Sequence, residues 1–118
     1  MITSKEVATL AAQALDNKKG QDIRVLKVAD VTTLAEYFIL CTGTSNTQIN
    51  ALSGAVEEAM DKAGEPLVSR EGHRSGTWVL LDYGAVVVHI FTDEARKFYD
   101  LERLWNDAEQ IPLSEIIK

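Results

Sequence analysis

The chain has 118 residues, 46% hydrophobic and 25% charged, with two prolines and seven glycines. That profile predicts a single domain over 1–118 and excludes a low-complexity linker or a membrane-spanning run. Twelve Lys and Arg against 18 Asp and Glu leave a net charge of −6, which disfavours RNA as a primary ligand and suits docking onto a basic protein.

Thr3 and Glu6 have the spacing of a capping box, and Val7, Leu10, Ala11, Ala14 and Leu15 recur on one face, predicting a helix that stops at Gly20. The N-terminus lacks the apolar core of a signal peptide, and Cys41 is the only cysteine. A cytoplasmic chain without an internal disulfide or thiolate cluster is therefore expected. Ile23 to Val28 reads as a strand, Asp30 to Glu36 as a polar connection and Tyr37 to Thr42 as a second strand. Gly43-Thr44-Ser45-Asn46 is a strand-to-helix turn with several possible N-caps. The helix after it carries Ile49, Leu52, Val56, Ala59, Met60 and Ala63 as its buried stripe and ends at Gly64. Pro66 opens a short extended piece.

Gly76 to Phe91 reads as a hairpin with Tyr83 and Gly84 as its central residues, which sets Asp82 opposite Ala85, Leu80 opposite Val87 and Trp78 opposite His89. Alternation then puts Val79, Leu81, Val86, Val88 and Ile90 on an aliphatic side that packs under helices. Trp78, Leu80, Asp82, Ala85, Val87, His89 and Phe91 share the other side, whose mixed chemistry suits a surface covered by a partner. Thr92 caps a last helix in which Ala95, Phe98, Leu101 or Glu102, and Trp105 recur at helical spacing, with Phe98 and Trp105 on the core side and Pro112 bounding a short tail. The expected fold class is α+β: one mixed sheet with helices mainly on one face.

Catalytic constellations are weak. The turn Gly43-Thr44-Ser45 is similar to the Gly-Ser entry of nucleotidyltransferases, where helix N-terminal amides hold a triphosphate. Such enzymes also need two carboxylates at i and i+2 on one strand to hold paired ions. The acidic pairs Asp100 with Glu102 and Asp107 with Glu109 fall instead in the predicted last helix, where residues two apart diverge. Cys41 sits in an apolar strand, and His73 and His89 lack metal-ligand spacing. The chain is accordingly expected to be no enzyme and to hold no cofactor or metal. A small nucleotide-binding or nucleotidyltransferase enzyme using Gly43 to Ser45 is the alternative.

Four ordered blocks carry a family resemblance: Glu36 to Ser45 with Gln48, Glu71-Gly72, Gly76 to Gly84, and Val86 to Phe91 with Arg96 to Trp105. Over nearly its full length the chain resembles the ribosomal silencing factor, or Iojap-related, family. Glu36 stands where Asp is common. Ala85 stands where an acidic residue often follows the hairpin glycine, which removes one negative charge from the expected docking face. The resemblance implies a nucleotidyltransferase-like fold without catalysis. It also implies binding to the large ribosomal subunit through its ribosomal protein number fourteen, blocking small-subunit joining and lowering translation when nutrients are scarce. The expected contact set is Trp78, Leu80, Asp82 and His89, with Glu71, Arg74 and Tyr83 near the hairpin ends and Tyr99, Asp100 and Arg103 from the last helix. Trp78 and Leu80 would be desolvated anchors, and Glu71, Asp82 and Asp100 rim charges for basic partner residues. His89 would brace Trp78, and a homodimer could protect the same face when the chain is free.

Overall fold

A computed structural model describes residues 3–72, 77–104 and 106–112. In chain order its elements are α1 (Ser4–Asn17), β1 (Gln21–Lys27), β2 (Tyr37–Gly43), α2 (Asn46–Ala63), β3 (Ser69–Glu71), β4 (Trp78–Asp82), β5 (Val86–Thr92), α3 (Asp93–Tyr99), α4 (Leu101–Leu104) and β6 (Glu109–Ile111). The six strands form one sheet in the order β3-β4-β5-β2-β1-β6; β2 and β5 run parallel and every other neighbouring pair is antiparallel. The α+β mixed sheet expected from the pattern is present. The stretch before Pro112 that the spacing assigns to the last helix contains β6 instead, so Glu109 lies in a strand and Asp107 in the turn before it.

Local chemistry explains the helix ends. Thr3 and Glu6 close the capping box on α1, and Ser45 caps α2 by accepting from the Gln48 amide. At the end of α1, Lys19 N–H donates to Asp16 O and Gly20 N–H to Leu15 O, the paired bonds of a Schellman motif. The left-handed position in it is Lys19, at φ +62°, and not the expected Gly20. Gly20 is small for another reason: a Cβ there would lie 2.4 Å from Cys41 Sγ. Gly64, at φ +78°, ends α2 with the same paired bonds.

Helices α1 and α2 lie side by side on one face of the sheet. Val7, Ala11, Leu15, Ile49, Leu52, Val56 and Met60 pack there on Val25, Ile39, Cys41, Val79, Leu81, Val88 and Ile90, all buried. The aliphatic side predicted for the hairpin is therefore the helix-covered side. The opposite face is a smaller cluster of Leu26, Val28, Ala35, Phe38, Leu40, Phe91 and Ala95, with Trp78 and Val87 partly covered. Among the described helices the short α3 packs on this face, against β5 and β2, and Trp78 and Val87 remain partly exposed.

Candidate docking face

The β4–β5 hairpin sets this face, in a register that differs from the predicted one. Trp78 pairs with Phe91, Leu80 with His89 and Asp82 with Val87, so the central turn residues are Gly84 and Ala85, not Tyr83 and Gly84. Gly84 takes φ +84°, Tyr83 N–H donates to Val86 O, and Asp82 Oδ1 accepts from the Gly84 amide at 2.7 Å. A glycine in the first central position with positive φ matches the twist of a two-residue hairpin, whereas Tyr83 there would be strained. The shift moves each partner by two residues. Since alternation has period two, every strand residue keeps its side, and only Ala85 leaves the face for the turn.

Trp78, Leu80, Asp82 and Val87 are partly exposed, while Val79 and Leu81 between them are fully buried on the helix side. Tyr83 is a correction: it points to the helix side and belongs to the main core, where burial raises its pKa, so it cannot contact a partner on this face. His89 is a second correction, being only 5% exposed. Its ring lies edge-on to Phe38 at 5.3 Å and parallel to those of Trp78 and Phe91 at 6.0 and 5.9 Å. Trp78 Nε1–H donates to His89 Nδ1 at 3.3 Å, which puts the imidazole proton on Nε2. That nitrogen is buried and has no hydrogen-bond partner among the described residues. Burial holds the His89 pKa down at about 4. His89 therefore braces Trp78, as expected of it, and does not itself face a partner.

The last predicted helix is two pieces. Asp100 takes φ +48°, its N–H donating to Arg96 O, and α4 starts afresh with Arg103 N–H donating to Asp100 O. Tyr99, Asp100 and Arg103 are all exposed but do not lie along one helix. Inside the break, Arg96 is buried. It donates to Asp22 O at 2.7 Å, Thr42 Oγ1 at 2.8 Å and Glu102 Oε1 at 2.9 Å, tying α3 and α4 to the edge of β1 and the end of β2. Glu71 is exposed on β3 opposite Leu80. Arg74 and Trp105 lie outside the described residues.

Phe98 reverses its predicted role, being 81% exposed with Tyr99 beside it at 45%. At 100° per residue, the inward direction set by buried Ala95 and Arg96 passes close to Tyr99 and leaves Phe98 about 110° away. The two rings meet edge-to-face at 5.2 Å, and Tyr99 tilts against Trp78 at 5.0 Å. Trp78, Tyr99 and Phe98 thus form a continuous aromatic ridge, with Glu94 beside Phe98 and Tyr99 in the lining of one cleft.

The strand-to-helix turn on the other side of α3 is closed by its own chain. Thr44 N–H and Oγ1–H both donate to Gln48 Oε1, at 2.6 and 2.8 Å, and Gln48 Nε2 donates to Lys19 O. A Cβ on Gly43 would meet Ile49 Cγ1 at 2.7 Å, so that glycine makes room for packing within the chain. Burial pushes the Cys41 thiol up to about 12, leaving it protonated at neutral pH. Among the described residues no group of three or more His, Cys, Asp or Glu is placed to hold a metal ion, and no helix is long and apolar enough to cross a membrane.

The family model described as "Ribosomal silencing factor during starvation" matches residues 1–118. The chain belongs to the ribosomal silencing factor family. It is similar to ribosomal silencing factor RsfS of Chromobacterium violaceum, 44% identical over 101 residues that cover 86% of this chain and 83% of that one. A crystal structure of a Chromobacterium violaceum protein superposes with a TM-score of 0.87 at 41% identity, covering 94% of this chain and 91% of the other. A more distant relative, the mouse mitochondrial assembly of ribosomal large subunit protein 1, is 29% identical over 94 residues, covering 77% of this chain and 41% of that protein. The membership agrees with the resemblance carried by the four sequence blocks.

Proposed function

We propose that the chain, acting as one folded unit, represses translation by docking on the large ribosomal subunit. It contacts the ribosomal protein number fourteen at the joining surface and obstructs the small subunit. The observation that carries this reading is the exposed aromatic ridge of Trp78, Tyr99 and Phe98 with Leu80, on a sheet side that also carries Asp82 and, opposite Leu80, Glu71. Large aromatic side chains beside carboxylates suit a basic protein partner, and the net charge of −6 favours encounter with one. Family membership supports a ribosomal target, and the mouse relative's name refers to assembly of a large subunit. The mechanism is steric: a body of 13.0 kDa on the joining surface needs affinity and position, with no chemical step.

Co-sedimentation with purified large subunits tests this. Trp78→Ala and Tyr99→Ala are each expected to weaken binding by about 2 kcal/mol, roughly 30-fold, while Lys62→Ala on the far side of the molecule changes nothing. Parent chain that fails to sediment with large subunits, or folded ridge variants recovered as fully as the parent, would refute the reading. The nucleotide-enzyme alternative is disfavoured because Gln48 already occupies the donors of the Thr44 turn; saturable binding of a nucleoside triphosphate with magnesium would revive it. When large subunits are absent, a second copy of the chain is the occupant that protects the exposed ridge, and a monomeric mass at high micromolar concentration would overturn that.

A further inference from the structure

We propose that the outer end of α3 holds a cleft for one arginine side chain of the docking partner, with Phe98 and Tyr99 as its aromatic walls and Glu94 as its carboxylate. The inference rests on the reading of this face as a docking surface, and it specifies what the partner inserts there. The cleft has a volume of about 300 Å³ and is lined by Thr77, Thr92, Glu94, Ala95, Phe98 and Tyr99.

Three features select a guanidinium. First, Phe98 is the most exposed large hydrophobic side chain among the described residues and stands at 88° to the Tyr99 ring, so the two form a corner against which a flat cation can stack. Second, Glu94 precedes Phe98 by four residues and so shares its helix stripe, within reach of any group lying on that ring. Third, the neighbouring stripe is already neutralised, Lys97 Nζ pairing with Asp93 Oδ2 at 3.1 Å, whereas Glu94 has no ion-pair partner among the described residues. An apolar anchor would cover Phe98 but strip water from Glu94 without compensation. A lysine would satisfy the charge but not the planar stacking that arginine makes while donating to a carboxylate. Thr92 Oγ1 caps α3 by accepting from the Ala95 amide, which fixes the floor of the cleft relative to Glu94.

Two measurements on the full chain separate this inference from the docking reading. In the first, isotope-labelled protein is titrated with N-acetyl-arginine methylamide, its uncharged citrulline counterpart and the leucine counterpart, following the Phe98 and Tyr99 ring signals and the Thr92 to Tyr99 amides. The arginine probe is expected to shift these signals saturably, and to bind about fivefold more tightly than citrulline, as the sum of one exposed cation–π contact and one surface ion pair implies. Glu94→Gln, an exposed change that threatens no packing, is expected to reduce that preference to about twofold, the share that the cation–π contact retains. In the second, Glu94→Gln is expected to weaken sedimentation with large subunits by about threefold, the loss of one surface ion pair. Citrulline or leucine binding as well as arginine, or a preference untouched by Glu94→Gln, overturns the cleft whatever the ribosome result. Parent chain that does not sediment overturns the docking reading, and the probe titration still decides the cleft.

Discussion

Acid should loosen this fold through one identifiable group. His89 is 5% exposed, stacked among three aromatic rings, and its pKa is held down at about 4 from an ordinary 6.5 by burial. The folded value lies below the unfolded one, so the unfolded chain takes up the proton first. The contribution of neutral His89 is fully present above pH 6.5 and is lost as the pH falls from 6.5 towards 4. Linkage over that interval is worth about 2 kcal/mol by pH 5 and about 3 kcal/mol by pH 4, a large part of the stability of a domain this size. Urea unfolding between pH 7.5 and 4.5 should show the loss directly, and His89→Phe, which carries no titrating ring, should lose less over the same range. Histidine ring signals followed by NMR should place the His89 midpoint well below 6. A midpoint near 6.5, or a His89→Phe variant that weakens as steeply with acid as the parent, would refute the burial argument.

Lys19→Gly should stabilise the chain by about 1 kcal/mol, since glycine carries no penalty at the left-handed end of α1; an unchanged urea midpoint would show that Lys19 is unstrained. Gly20→Ala should destabilise by about 2 kcal/mol through its clash with Cys41 Sγ. Cys41→Ala in the same chain should recover part of that loss, and strict additivity of the two changes would argue against the contact. Arg96→Met should cost about 3 kcal/mol, because it leaves the Asp22 carbonyl, Thr42 and Glu102 without their shared donor. Amide exchange should then show the largest loss of protection in α3; uniform loosening of the whole chain would contradict a local tie.

What could be read from the residues followed their periodicity. The stripes of α1 and α2 and the aliphatic side of the hairpin needed only the spacing of apolar residues, and they survived a misplaced turn because a register error of two leaves each strand residue on its own side. The turn is not fixed by this periodicity, because Tyr83-Gly84 and Gly84-Ala85 fit its centre equally well in sequence. Only the need for positive φ at the first central position separates them, and that same shift exposes why Tyr83 is core. The break at Asp100 depended on Arg96, whose partners Asp22 and Thr42 are remote in sequence, so no local pattern announced it. Helical spacing without that break puts Phe98 on a stripe it does not join. The adjacency of Phe98 and Tyr99 was the available signal, since two successive aromatics cannot both follow one narrow stripe.

The borders of the sheet are as informative as its faces. Among the described residues β3 and β6 are only three residues long, and the exposed side chains of β3 include Arg70 and Glu71, so neither of these strands offers a length of unpaired backbone on which a foreign strand could extend the array. Sticky rings can therefore remain uncovered without inviting fibrous growth. A partner settling on the ridge would read side chains in relief, an attachment that leaves main-chain pairing untouched and can be undone without unravelling either party.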